Sequence, residues 1–184
     1  MSGEQRATRR DGLLAAAAAL TVGGGVVEAH AQPPPAPLPP PSGHPAEDYR
    51  RAADLFRAGR REEATELFYR GQLRARVHLA ARPDLPPSGD PALFASLNES
   101  LGRPINEWAA GDLPMLVAAL DRVLAWHAAN DDPHTPKASF PEAHASVRAG
   151  LERLRAYFAD NADDIRAQRR ANGLPNRNPP DPPR

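Results

Sequence analysis

Asp112-Leu113-Pro114-Met115-Leu116-Val117-Ala118-Ala119-Leu120-Asp121-Arg122-Val123-Leu124-Ala125-Trp126-His127-Ala128-Ala129 is the stretch that decides the class of fold. Leu113, Leu116, Val117, Leu120, Val123 and Leu124 recur at spacings of three and four, which puts them on one face of a helix. Asp112 stands where a short carboxylate side chain can accept from free backbone N–H groups. The spacing predicts an amphipathic helix from Asp112 to about Ala129.

The same periodicity extends to both sides. Tyr49, Ala52, Ala53 and Phe56 follow Pro45 and end at Gly59. A second helix is expected from about Glu62 to Ala80, through Ala64, Leu67, Phe68, Gly71 and Leu73. Asp90-Pro91 begins a third, with Phe94, Leu97 and Leu101 inward and Gly102 as its stop; Pro104 to Ala110 then adds a short helical turn or two. Ser139 and Glu142 make an S-x-x-E capping-box pattern ahead of Val147, Leu151, Leu154 and Phe158. Asn161 opens a last helix through Ile165 to Gly173, unless one continuous helix runs from Phe140 to Asn172. β-branched residues never alternate over a useful length, so no strand is expected. The reading is an all-α fold, a compact bundle or array of five to seven amphipathic helices over residues 46–172.

Composition narrows the function. In 184 residues, 23 basic side chains balance 23 acidic ones, which argues against a nucleic-acid partner. The absence of cysteine excludes disulfides, thiolate metal sites, covalent haem attachment and a lipid anchor on cysteine. Pro33 to Pro45 reads as part of an extended Pro-rich linker, residues 32–45. Residues 173–184, again Pro-rich and almost without apolar side chains, read as a disordered tail.

The first 31 residues read as a cleaved signal peptide. Arg6, Arg9 and Arg10 form a basic region; Gly12 to Val27 is uncharged and rich in Ala and Leu; Ala29-His30-Ala31 supplies small residues for a signal peptidase. The apolar run is shorter than the roughly 20 residues of a spanning helix, so no permanent membrane anchor is expected. Thr8-Arg9-Arg10-Asp11-Gly12-Leu13-Leu14 resembles the twin-arginine export motif of bacteria, without the usual aromatic at Gly12 or the later Lys. The resemblance implies the twin-arginine translocase and signal peptidase as transient partners, and a folded product in the periplasm or outside the cell.

Ala52 to Gly71 resembles one tetratricopeptide repeat: small at Ala52, large apolar at Leu55, then Gly59, Ala64, the aromatic Phe68 and small Gly71. No second copy follows at the repeat period. The resemblance implies an antiparallel helical hairpin of the kind that interaction proteins use.

No sequence motif names a reaction. There is no Gly-flanked nucleophilic serine with partners and no phosphate-cradling loop. His127, Asp131 and His134 are the candidate metal ligands, at a helix end with Asp132 close by. His78 reads as an ordinary helix residue, His144 as one following a cap, and His44 as part of the linker. Asn98 to Trp108 mixes amide, carboxylate, guanidinium and indole, so Arg103, Asn106, Glu107 and Trp108 are candidate partner-binding residues, joined by Tyr69 and Arg70 on the second helix. Arg70 and Arg74, one turn apart and following Glu63 and Glu66, otherwise read as a solvated face. No cofactor is called for. The leading expectation is an exported, non-enzymatic helical module, of accessory or immunity type, that binds another periplasmic protein. The alternative is a small periplasmic helical enzyme or ligand or metal carrier with a site between helices.

Overall fold

Six helices form among the described residues of the computed structural model, which are 37–41 and 43–179. They are α1 (Ala46–Arg57), α2 (Arg61–Ala81), α3 (Asp90–Ala109), α4 (Leu113–Ala129), α5 (Pro141–Asp160) and α6 (Ala162–Ala171). The fold is all-α, as the periodicity requires. The export-signal residues Arg9, Arg10, Ala29 and Ala31 lie outside the described residues.

α2 is the axis of the fold and packs against α1, α3, α4 and α5. α1 closes on it tightly because Gly71 has no side chain. A Cβ there would sit 3.0 Å from the ring of Tyr49. Tyr49 then meets Phe68 edge to face, with ring centres 5.6 Å apart, a favoured aromatic geometry. Phe94 of α3, Ile105, Leu113, Leu116, Leu120, Val123 and Leu151 complete one continuous apolar core. The tyrosine hydroxyls inside it are satisfied: Tyr49 donates to Asn98 Oδ1 at 3.1 Å and Tyr69 to Asn106 Oδ1 at 3.0 Å.

Two helix boundaries differ from expectation, and a third follows it. α3 does not stop at Gly102 but runs through it and through Pro104. Gly102 is small because the ring of Phe68 presses on it, with a Cβ position 3.2 Å from Phe68 Cζ. Pro104 costs a helical hydrogen bond, but at an exposed position, and the buried Ile105 and Ala109 beyond it hold the last turns in place. The Ser139–Glu142 capping box does not form. Phe140 stands at the cap of α5, so Ser139 falls one residue early, and no side chain caps that end. α5 and α6 are separate helices divided at Asn161, whose amide turns back onto the Tyr157 carbonyl. Asp112 does cap α4, accepting from Met115 N at 3.0 Å.

Parts of both Pro-rich segments belong to the folded unit, which moves the expected boundaries. The Pro39 carbonyl accepts from Arg70 (2.7 Å) and from the indole of Trp126 (2.9 Å), and Leu38 packs on the core. At the other end, Arg177 N donates to the Gly111 carbonyl at 2.6 Å. Its guanidinium lies 4.0 Å from the centre of the Trp108 ring. No described helix is long and apolar enough to cross a membrane.

Candidate metal centre

α2 carries a polar ridge. Glu66, Arg70, Arg74 and His78 follow one another at intervals of four residues, so they form a single inclined row on the helix, and Arg82 keeps the interval just past its end. The first four are buried. The expected solvated face is therefore an interior one, because partners from other elements neutralise each charge. Glu66 pairs with Arg122 of α4. Arg70 holds Asp48 of α1 through Nε and a second nitrogen, at 3.0 and 2.5 Å. This corrects the expectation that Arg70 meets a partner protein, since its side chain is 1% exposed.

Every nitrogen of the Arg74 guanidinium is bonded internally. Nε and one terminal nitrogen bond both oxygens of Asp132 (2.8 and 3.1 Å), that same nitrogen reaches the Gly43 carbonyl (2.8 Å), and the other bonds Asp48 (3.1 Å). Two guanidinium groups and two carboxylates thus form a buried quartet. Burial works against the charge of Arg74, but its bonds and proximity to Asp132 and Asp48 outweigh that and raise its pKa. Burial also raises the Asp132 carboxyl, yet the Arg74 bond and charge leave it below its ordinary value.

One turn beyond Arg74, three imidazoles converge. His78 comes from α2, His44 from the segment entering α1, and His134 from the loop between α4 and α5. Their ring centres are 4.7 Å (His78–His134), 5.0 Å (His44–His134) and 5.9 Å (His44–His78) apart. One nitrogen from each lies within 4.8 Å of the other two. Phe94 stacks under His44 at 5.5 Å and 6°, giving the cluster an apolar floor. His134 Nε2 is buried and makes no hydrogen bond.

Asp90 is the acid of the site. It was expected to cap α3, but Gly89 holds the cap position. The Asp90 carboxylate is drawn instead to the imidazoles, 2.7 Å from His78 Nε2 and 3.4 Å from His44 Nε2. Burial pulls that carboxyl up, and the hydrogen bonds from His78 and His44 outweigh it and hold it low. Burial lowers the pKa of His78, with Arg82 adding to it against the pull of Asp90. Burial likewise lowers His134, with the neighbouring histidines contributing. Both shifts favour the neutral ring near pH 7; His78 then donates from Nε2 to Asp90 and accepts from Arg82 at Nδ1, so a metal takes that Nδ1 lone pair only by displacing Arg82. Arg82 closes the group, bonding His78 Nδ1 at 3.0 Å and the His134 carbonyl at 3.1 Å.

The donor set fits a borderline divalent ion. A tetrahedral ion with metal–nitrogen distances near 2.0 Å places its nitrogens about 3.3 Å apart, so the rings need to draw in by roughly 1 Å. Imidazole nitrogens suit zinc, copper(II), nickel or iron(II) better than magnesium or calcium. Asp90, bonded to Nε2 of both His78 and His44, would orient them as ligands through Nδ1, where an ion replaces the bonds now accepted from Arg82 and from Ala46 N.

The expected metal group is thus corrected in part. His134 belongs to the cluster, but His127 and Asp131 do not join it. His127 lies on the inner side of α4 and meets His144 at 2.9 Å. Asp131 folds its carboxylate onto the backbone N–H groups of Asp132 and Lys137. His44, His78 and Asp90 were missed because they sit far apart in sequence, at no recognisable spacing. The four-residue ridge on α2 was the available signal. Among the expected partner-binding residues, Tyr69 is buried, and Trp108 is half-buried between Phe56, Arg61 and Arg177. Arg103, Asn106 and Glu107 stay exposed.

No protein-family model, no curated protein and no solved structure matches this chain.

Proposed function

We propose that the protein is an exported helical carrier of one divalent transition-metal ion, bound by His44, His78 and His134. The observation that carries this reading is the convergence of three imidazoles, one nitrogen from each within 4.8 Å of the others, from three separate elements. His44 and His78 have hydrogen-bond partners at both ring nitrogens, and His134 Nε2 is the buried nitrogen of the cluster without one. Three protein ligands leave a coordination position free, the arrangement of sites that exchange or use their metal. The side chains of His44 and Asp90 are 30% and 28% exposed, so an ion has a path in and out. Export rests on the resemblance of residues 8–14 to a twin-arginine signal, and twin-arginine cargo travels folded, which suits a site assembled from distant parts of the chain.

The test is calorimetric titration of the full chain with zinc chloride. One ion per chain is expected, with His44→Ala, His78→Ala and His134→Ala each weakening binding at least tenfold while His127→Ala leaves it unchanged. Binding that ignores the first three substitutions overturns the assignment.

A further inference from the structure

Two of the three proposed ligands stand outside helices. His44 lies in the segment entering α1 and His134 in the loop after α4. Loops rarely fix a side chain by themselves; a rigid scaffold must place it. We infer that Arg74 is the positioning residue of this centre, an inference that rests on the metal-binding reading above.

The guanidinium of Arg74 touches the backbone beside one ligand and the support of another. It bonds the carbonyl of Gly43, the residue preceding His44. It bonds both oxygens of Asp132, and Asp132 Oδ1 in turn accepts the backbone N–H of His134 at 3.0 Å. Arg74 itself stands one turn before His78 on α2. One planar group therefore fixes all three ligand-bearing segments in a common frame, which a flexible ammonium cannot reproduce.

Stability alone does not require the arrangement. Buried ion pairs are often matched or exceeded by apolar residues of similar volume. A bidentate fork held between two ligand segments does explain it, because supporting contacts of this kind commonly change metal affinity about 10–100-fold.

Arg70 supplies the internal control. It is equally buried and belongs to the same quartet. Its remaining donor, however, goes to the Pro39 carbonyl, and it bonds neither Gly43 nor Asp132.

The experiment compares zinc and cobalt(II) binding by the full chain and by Arg74→Lys and Arg70→Lys. Affinity is read by chelator competition, and site geometry by the visible absorption of bound cobalt. Arg74→Lys is expected to weaken zinc about 10–100-fold and to alter the cobalt spectrum. Arg70→Lys is expected to keep zinc affinity within about threefold, with the cobalt spectrum unchanged, even if it lowers the melting temperature as much. Equal losses in both variants, or no loss in Arg74→Lys, overturn the inference while leaving the metal site intact. If Arg74→Lys does not fold, Asp132→Asn carries the same expectation, since it keeps an acceptor for His134 N but removes the charge that fixes Arg74. A full chain that binds neither ion refutes the metal-binding reading itself, and the inference with it.

Discussion

His127 Nε2 and His144 Nδ1 lie 2.9 Å apart in the interior, and His144 Nε2 lies 2.8 Å from the Thr135 carbonyl. His144 Nε2 donates to the Thr135 carbonyl, and a His144 Nδ1 that accepts from His127 Nε2 completes the chain. Burial pushes the His127 pKa down to about 4, with Lys137 adding to the shift. The unfolded chain takes up that proton near pH 6.5, before the folded chain does. The stability contribution is therefore complete above about 6.5 and declines as pH falls toward about 4. Thermal melts across this range should show a falling midpoint, and His127→Gln should remove part of the slope. An unchanged slope in that variant would contradict the burial of a neutral ring here.

Zinc should raise the melting temperature of the full chain. An ion that binds only the folded state at 100 times its dissociation constant adds about 2.7 kcal/mol, which corresponds to several degrees at this size. A chelator should reverse the shift, and His78→Ala should show a clearly smaller one. Equal shifts in the His78 variant would place the ion elsewhere.

Phe68 is fully buried against Tyr49, Tyr69 and the bare backbone of Gly102. Phe68→Ala should cost about 3–5 kcal/mol in denaturant unfolding. Leu93→Ala, at a side chain that is 40% exposed, should stay within about 0.5 kcal/mol.

Arg177 covers Trp108, the partner of Phe56 and Arg61. Arg177→Ala should cost only about 0.5–1 kcal/mol, because the backbone bond to Gly111 survives, but it should shift tryptophan emission to longer wavelength. Trp126, the other tryptophan, donates its indole N–H to Pro39 and should not respond. Unshifted emission would place the tail off Trp108.

The fold was legible in the sequence where local rules suffice. The apolar spacing of α4 and the Asp112 cap needed no tertiary information. The run of α3 through Gly102 and Pro104 did, because the ring of Phe68 and the burial of Ile105 override two local stop signals. The site was barely legible. Its ligands are set by which loops reach the far end of α2, and a charge on an isolated helix reads as solvated until its partner is seen. Asp48 and Asp132, the partners of Arg74, stand 26 residues before and 58 after it. Only the even spacing from Glu66 to Arg82 carried the pattern in one segment.

That spacing makes α2 sensitive to its own length. Each residue advances a helix by about 100°, so one residue inserted between Arg70 and Arg74 would turn the rest of the row by that angle. Glu66 and Arg70 would keep Arg122 and Asp48, while Arg74, His78 and Arg82 would swing away from Asp132 and Asp90. A residue added between Arg82 and Asp90 would lengthen a surface connection and leave the row in phase. Divergent copies of this protein should accordingly vary in length at that connection and keep a fixed count of residues from Glu66 to Arg82.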